Sequence, residues 1–372
     1  MLAAGQPSGT ANPIPAATNS VASQSNSPAQ QALEQVMTDD DAAMDEVDQW
    51  IRDNNTLAAK GGGESRAVLN ARINARLDGV RQKYEDFLSR YPNYAPGHLA
   101  YGSFLDDLGK EDLAAVQYQT ASKLDPNDPA AWNDLANYYG EYSPVTNAFT
   151  DYQKAIDLDP TEPVYYENLA TTVYVFRRDA MSYYGITEPQ VFDKALALYR
   201  KALQLDPNDF ELASDYAETY YGIRPLRTND ALVAWTNALG AAHNDVEREG
   251  VYIHLARIKF LAGRYDEARA QLASVTNAMY DTLKDRIERN IVAKEHPQTN
   301  AIPDHLQNTN AAAIPTAQTS RLPSSSNGLA AHGIPALTHS PAGTNSAAIA
   351  PTNLLNNLEV SPPSPRPMPG QE

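Results

Sequence analysis

The sequence predicts an all-α protein, a solenoid of helix pairs, on three observations. A Leu-Asp-Pro phrase ends at Pro126, Pro160 and Pro207, and Pro92, Pro126 and Pro160 are spaced 34 residues apart. Small residues recur at two fixed places in this period, and a large, mostly aromatic residue recurs at a third. A period of this length is typical of folds in which each unit buries its apolar face only against its neighbours.

Both ends of the chain are predicted to be disordered. Residues 1–33 contain no aromatic and no charged side chain. Residues 297–372 are rich in Pro, Ala, Asn, Ser and Thr and hold no Phe, Trp or Tyr. Segments of this composition cannot bury enough apolar surface to offset the entropy lost on ordering. We therefore expect the folded part between them.

Residues 34–63 are predicted to form an acidic amphipathic helix followed by a glycine linker. The apolar side chains with helical spacing are Met44, Val47, Trp50 and Ile51. The three glycines at 61–63 indicate a flexible joint. Two interpretations stay open, because the helix could dock on the solenoid, perhaps in its groove, or remain solvated without a partner.

A stack of repeats needs a polar cap at each end, and the sequence offers two. Residues 64–94 are predicted as an N-terminal capping helix or half repeat, and residues 277–296 as the C-terminal capping helix. The apolar stripe of the first cap consists of Leu69, Ile73, Leu77, Val80, Tyr84 and Leu88. That of the second consists of Met279, Leu283, Ile287 and Ile291.

The 34-residue period predicts five units between the caps. Their boundaries are 95–128, 129–162, 163–209, 210–245 and 249–276. Each unit should be two antiparallel helices joined by a tight turn, with small residues where the two backbones approach. The proline ends the second helix, because it cannot continue the hydrogen-bond ladder and pushes the preceding residue out of the α region.

Four columns carry this pattern. Position 8 holds Gly102, Ala136, Ala170, Ala217 and Ala256, and position 20 holds Ala114, Ala148, Ala195, Ala231 and Ala268. Position 24 holds Tyr118, Tyr152, Tyr199, Trp235 and Leu272, and the turn prolines of the units are Pro126, Pro160 and Pro207. The columns predict that the large residue at position 24 fills the space between one unit and the next.

The third unit contains a 13-residue insertion at 176–188. Thr187 and Gln190 form a capping-box pattern that should open the next helix. We therefore expect both helices of this unit to be longer than their neighbours. The inserted residues could form a specialised contact surface, or their aromatic rings could pack the longer hairpin against itself, which we favour for Tyr183 and Phe192.

The pattern resembles the tetratricopeptide repeat (TPR), as found in bacterial TPR-containing proteins. The second unit matches each signature place, with Trp132, Leu135, Ala136, Tyr139, Ala148, Tyr152, Ala155 and Pro160. The resemblance covers about residues 95–275. It implies a right-handed α-solenoid of about five helix pairs, in which the first helices line a concave groove.

The resemblance also implies which residues line that groove. Those carried over are Asn133, Asn137, Glu167, Thr171, Tyr174, Glu218, Tyr221, Arg257 and Phe260. Members of the family that bind chaperone tails hold a peptide carboxylate with Lys and Asn, and here Leu99 and Ser103 stand at the first two of those places. We expect a protein or peptide partner with a basic or polar extended segment. The alternative is a groove without a natural ligand.

Several function classes are disfavoured. The formal charge of −17 repels nucleic acid and anionic membranes, and there is no cysteine. The sequence contains no phosphate loop or H-E-x-x-H pattern, and we expect no enzymatic activity, metal or cofactor. His98 and His254 are expected to be packing residues rather than ligands.

The remaining expectations concern location and assembly. No apolar run is long enough to cross a membrane, so no membrane insertion is expected. The N-terminus lacks the basic and apolar regions of a signal peptide, so we expect a cytoplasmic protein. Two alternatives to a binding scaffold stay open: a self-associating structural protein, with a homo-oligomer, and a regulatory subunit of an enzyme complex.

Overall fold

The computed structural model describes residues 27–142 and 144–296, and all regular structure in these ranges is helical. Residues 1–26 and 297–372, predicted to be disordered, lie outside the described residues. The described chain divides into two compact units, one ending at Val80 and the other beginning at Arg81. No described helix is both long enough and apolar enough to span a bilayer.

The first helix, α1 (Pro28–Ala58), begins earlier than the sequence predicted. The expectation of disorder through residue 33 is wrong for residues 28–33. The hydroxyl of Ser27 caps the helix by accepting from the backbone N–H of Gln30 at 3.1 Å, and Pro28 occupies the first turn. Leu33 is buried, so this turn also contributes apolar contact. A serine followed by proline is a helix-start signal that the composition argument overlooked.

The three glycines form a defined turn rather than the predicted flexible joint. The second helix, α2 (Arg66–Arg90), follows after a short connection. Gly61 and Gly63 have left-handed φ angles of 80° and 101°. The Asn54 side chain closes the turn, because its oxygen accepts from the backbone N–H of Glu64 at 2.7 Å and its amide donates to the Glu64 carbonyl.

The described side-chain contacts of α1 are with α2, which neither interpretation of the acidic helix anticipated. Arg76 donates to Glu46 at 2.9 Å and to Asp39 at 3.3 Å. The guanidinium of Arg72 lies 3.9 Å from the ring centroid of Trp50. These contacts cover part of Trp50 and hold the two helices as an antiparallel hairpin.

The second unit is an α-solenoid of TPR type. In its described residues the remaining helices are α3 (Ala95–Asp107), α4 (Glu111–Leu124), α5 (Pro129–Tyr142), α6 (Val145–Leu158), α7 (Pro163–Val175), α8 (Arg177–Tyr184), α9 (Glu188–Leu205), α10 (Phe210–Thr219), α11 (Thr228–Ala241), α12 (Asp245–Leu261), α13 (Tyr265–Leu272) and α14 (Asp281–Glu295). Single 3₁₀ turns follow α10 and precede α14. The pairs are α3/α4, α5/α6, α7/α9, α10/α11 and α12/α13.

The recurring small residues lie where the helices of a pair approach each other. The alanines of the position-8 and position-20 columns are at most 1% exposed in every pair. The large residues of the position-24 column, Tyr118, Tyr152, Tyr199, Trp235 and Leu272, are at most 4% exposed. Because interiors are close-packed, a small residue on one helix determines how large its neighbour on the next can be.

The turn phrase acts through its aspartate as well as its proline. Asp125, Asp159 and Asp206 each follow the last residue of a second helix and have extended backbone angles. Each carboxylate accepts from the backbone N–H two residues later, at 3.0, 2.9 and 3.3 Å respectively. This local hydrogen bond stabilises the turn into the next unit. The sequence argument named the proline alone.

The insertion lengthens one helix and breaks the other, so the expectation of two longer helices is wrong for the first. Helix α7 ends at Val175, and Phe176 leaves the helical region with ψ near 43° before the separate helix α8. The predicted capping box is present, since the Gln190 side chain accepts from the backbone N–H of Thr187 at 2.9 Å.

The aromatic residues of the third unit divide between two partners. Phe192 is buried, and its ring lies 5.9 Å from that of Tyr174 across the α7/α9 pair, as expected. Tyr183 and Tyr184 instead lie 5.2 and 5.5 Å from Phe149 on α6, in the preceding pair. Helix α8 therefore packs against its neighbour and not only against its own hairpin.

Two boundaries near the C-terminal end also differ from expectation. Helix α12 begins at Asp245, within the predicted fourth unit, because the Asn244 side chain caps it. Ile287 and Ile291 of α14 are buried, but Met279 lies in the preceding 3₁₀ turn and is 62% exposed, so it is not part of the predicted stripe. Arg269 of α13 donates to α14 at Glu288 and Glu295.

The close approach at position 8 can be tested at its smallest member, Gly102. A Cβ at this residue would lie 2.5 Å from the Tyr118 ring. We expect Gly102→Ala to lower the free energy of unfolding by about 1–2 kcal/mol, because overpacking outweighs the gain in helix propensity. Thermal or urea unfolding of the full-length protein measures this change.

Two controls separate the ring contact from helix propensity. Gly79 lies exposed in the middle of α2 with open space around its α-carbon, so Gly79→Ala should stabilise the protein by about 0.5–1 kcal/mol. In a Tyr118→Leu background, Gly102→Ala should become neutral or stabilising, as Ala256 is accommodated beside Leu272 in the last pair. Equal destabilisation in both backgrounds would contradict the contact.

Candidate functional site

The first helices of three successive pairs carry a row of interacting charges. We call Glu167 on α7 and Asp215 and Glu218 on α10 the acidic row. The Asp215 carboxylate repels Glu167, and Glu218 repels Asp215. Arg257 on α12 attracts Glu218. The charges therefore follow one another across α7, α10 and α12, on the surface that the first helices share.

Burial and mutual repulsion make the acidic row hard to ionise. Burial raises the pKa of Glu167 to about 8, and the carboxylates of Asp215, Asp209 and Glu211 add to the effect. Burial likewise raises the pKa of Asp215 to about 7, with Glu218 as its strongest charged neighbour. By accessible area, however, Asp215 and Glu218 are both exposed, so water screens much of this repulsion and Glu167 is the most strongly affected member of the row. At neutral pH the row is thus only partly ionised.

Glu218, the third member of the row, is subject to two opposite effects on its pKa. Burial raises the pKa of Glu218, and the positive charge of Arg257 opposes that rise. Glu218 therefore connects the carboxylates of α7 and α10 to the cation of α12. An arrangement of this kind would favour a bound positive charge near Glu167 and Asp215 more than one near Arg257.

Arg257 is the outer end of a stack of rings. Its guanidinium carbon lies 4.3 Å from the Tyr221 ring centroid. The Tyr221 hydroxyl is hydrogen-bonded to Nδ1 of His254 at 3.1 Å, and His254 stacks on Trp235 with 4.0 Å between ring centroids. Burial lowers the pKa of His254 to about 4, so its ring is neutral and can accept this hydrogen bond. His254 is thus a packing residue, as expected from sequence.

Thr171 and Tyr174, both predicted groove residues, connect helices through their hydroxyls. The hydroxyls of Thr171 and Tyr199 are hydrogen-bonded at 2.7 Å. The Tyr174 hydroxyl approaches Gly222 so closely that a Cβ there would lie 2.2 Å away. These two groove residues help to fix α7 against its neighbours and lie on the same helix as Glu167.

The predicted groove residues on α5 have different surroundings. Asn133 is 1% exposed, and its side chain accepts from Asn168 at 3.0 Å and donates to Asp134 at 3.2 Å. It is therefore an internal link between α5 and α7, and the expectation that it lines the groove is corrected. Asn137 accepts from the Tyr152 hydroxyl at 2.7 Å and is partly buried.

Asn137 also borders a shallow pocket between the first two helix pairs. The other residues around this pocket are Asp106, Glu111, Tyr118, Asp134, Tyr138, Glu141 and Tyr142. Phe260, the last predicted groove residue, packs towards α13, with its ring 6.0 Å from that of Tyr265. The predicted residues that the structure brings together are thus those of α7, α10 and one residue of α12.

The structure adds Asp215, which the sequence argument did not select. The family positions used for that argument place Glu218 in the groove and pass over Asp215, one turn earlier on α10. The signal was available, since Asp215 and Glu218 are three residues apart and therefore neighbours on one helix face. Among the described residues, no group of carboxylates and histidines is arranged to hold a metal ion.

Comparisons with known proteins found similarity among solved structures alone. No protein-family model matches the sequence, and no curated protein matches it significantly. Among solved structures, the chain is similar to Pseudomonas aeruginosa PilF, with 14% identity over 67% of this chain and 98% of that chain and a TM-score of 0.44.

Two further solved structures show the same level of similarity. YrrB, described as a TPR protein with an unusual peptide-binding site, is 14% identical over 55% of this chain and 97% of its own, with a TM-score of 0.43. MamA is 22% identical over 46% and 86%, with a TM-score of 0.37. The 34-residue period, the helix pairs and the buried signature residues define the protein as a TPR-type solenoid.

The raised pKa of Glu167 predicts how stability depends on pH. The ordinary carboxyl pKa is about 4.5, so between this value and about 8 the folded protein retains a proton that the unfolded chain has lost. Stability from this group is present at low pH and declines as pH rises through that window. Glu167→Gln should therefore match wild type near pH 4.5 and become about 1 kcal/mol more stable by pH 8.5.

Thermal unfolding at a series of pH values measures this difference. The figure is well below the full effect of the pKa shift, because the Glu167 side chain keeps some contact with water. Asp285→Asn, at an exposed carboxylate of α14, serves as the control and should show no widening difference. A Glu167→Gln effect that is constant with pH would contradict the raised pKa.

Proposed function

We propose that the protein is a non-enzymatic interaction scaffold, and that the surface shared by α7, α10 and α12 binds an extended segment of a partner protein. The observation that carries the proposal is the acidic row, whose carboxylates lie close enough to raise one another's pKa. Folding alone gains nothing from such an arrangement. A lysine or arginine side chain of a partner would relieve the repulsion.

The energetics favour a positively charged ligand in a specific way. In the free protein, protons partly neutralise Glu167 and Asp215 near pH 7. A bound ammonium or guanidinium would replace those protons and add charge-assisted hydrogen bonds. The net charge of −17 would also steer a basic partner towards the protein at low ionic strength. Self-association and regulation of an enzyme are the alternatives, but no specific contact in the described residues supports either.

A selection experiment tests the proposal. The full-length protein is presented with a display library of random 12-residue peptides, alongside the variant Glu167→Gln/Asp215→Asn/Glu218→Gln. We expect wild type to enrich peptides that contain Lys or Arg, and the neutral variant to lose this enrichment. The physical reason is that the variant keeps the shape of the surface but removes the charge that a basic side chain would neutralise.

The matched control carries three neutralised carboxylates on second helices and the C-terminal cap. This variant is Asp157→Asn/Asp230→Asn/Asp285→Asn, and each of the three residues is exposed. It should enrich the same basic peptides as wild type. The proposal fails if wild type enriches no basic peptides, or if the control loses them to the same extent as the neutral variant.

Binding should also depend on pH. Raising the pH from 6 to 8.5 ionises Glu167 and Asp215, whose pKa values are about 8 and 7. A selected lysine-containing peptide should therefore bind about tenfold more tightly at pH 8.5, and its binding at pH 7 should release protons. Calorimetry in two buffers of different ionisation enthalpy measures the released protons. The neutral triple variant should show neither effect.

A further inference from the structure

Within the described residues, Arg257 interacts electrostatically with Glu218 but forms no ion pair, whereas many other arginines do. Arg76, Arg227 and Arg269, for example, each form ion pairs. Arg257 forms no ion pair and no side-chain hydrogen bond with any part of the chain that the structure describes, although it is partly buried. A guanidinium carries five N–H donors in a fixed planar arrangement. Its donors are therefore available to an acceptor outside the protein.

The ring stack holds this guanidinium in place. Arg257 lies against the face of Tyr221, whose hydroxyl is fixed by His254, which in turn stacks on the buried Trp235. A guanidinium that stacks through its plane still offers the N–H groups at its edge. Because the side chain is already ordered, less conformational entropy is lost when a planar oxyanion binds.

We propose that Arg257 is a specificity-determining residue that binds the carboxylate of an Asp or Glu side chain in the partner segment. The inference rests on the proposed function and specifies the partner further. A purely acidic segment would be repelled by the acidic row, and a purely basic one would be repelled by Arg257. A segment that carries both charges satisfies both parts of the surface.

The geometry sets the spacing of the two charges. The acidic row ends on α10 and Arg257 lies on α12, so the two parts belong to neighbouring first helices. We take the distance between these two first helices as about 10 Å, the usual spacing of neighbouring helices. An extended peptide advances about 3.3 Å per residue, so the step corresponds to about three residues. The preferred segment therefore has a basic residue with an acidic residue about three positions away.

The test uses the same peptide library with full-length wild type, Arg257→Gln and Arg289→Gln. Arg289 is an exposed arginine of α14 and controls for the loss of one positive charge. We expect wild type and Arg289→Gln to enrich peptides with a basic and an acidic residue at one fixed spacing. Arg257→Gln should keep the basic residue and lose the acidic one.

Affinity measurements on synthetic peptides complete the test. The best selected peptide is made with both ends blocked, so that only its side chains carry charge, and its acidic residue is replaced by Asn or Gln. This replacement should weaken binding to wild type about tenfold and leave binding to Arg257→Gln unchanged. Arg257→Lys should recover part of the affinity, because lysine supplies the charge without the bidentate edge. Thermal unfolding shows whether each variant is folded.

The outcomes separate this inference from the function on which it rests. Enrichment of basic residues without a coupled acidic position would overturn the role of Arg257 and leave the scaffold proposal standing. Absence of basic enrichment in wild type would overturn both. An acidic position that persists in Arg257→Gln at the same spacing would also reject the inference, because another group would then bind the carboxylate.

Discussion

The solenoid depends on one packing constraint, the contact of a small residue on each first helix with the second helix of its own pair. In the first pair this contact joins Gly102 and Tyr118, and the absence of a side chain at Gly102 makes room for the ring. Later pairs place alanine at the equivalent position, again fully buried. If every pair repeats the contact seen at Gly102, every first helix presents its opposite side in the same way. The charges of α7, α10 and α12 can therefore align.

The turns between the pairs give successive first helices the same orientation. Asp125, Asp159 and Asp206 each combine a helix end with a carboxylate that holds the next backbone N–H. The third pair keeps this packing in spite of its insertion. Its extra residues form α8 and the first turns of α9, while Ala170 and Ala195 remain buried. The insertion thus changes the edge of the solenoid and leaves the packing of α7 against α9 intact.

The sequence predicted what depends on local and periodic signals. The helix pairs, the capping box at Thr187 and the packing of His254 and Phe192 belong to this class. It did not predict the break at Phe176, because nothing in the residues there separates a kinked helix from a continuous one. It placed Asn133 in the groove by family position, although burial of that side chain depends on Asn168 from the next unit. The start of α1 was missed because composition outweighed a capping signal of two residues.

The acidic row points to a role beyond folding because it lowers the stability of the folded state. A carboxylate such as Glu167, whose pKa is raised to about 8, destabilises the folded state at physiological pH compared with an apolar or amide side chain of similar size. Groups arranged in this way are often found where a protein acts on something else. Arg257 strengthens the argument, since it affects Glu218 electrostatically without forming an ion pair with it. If these residues served folding alone, an ion pair between Arg257 and Glu218 would make the folded state more stable. On the function proposed above, their separation leaves each charge available to a partner.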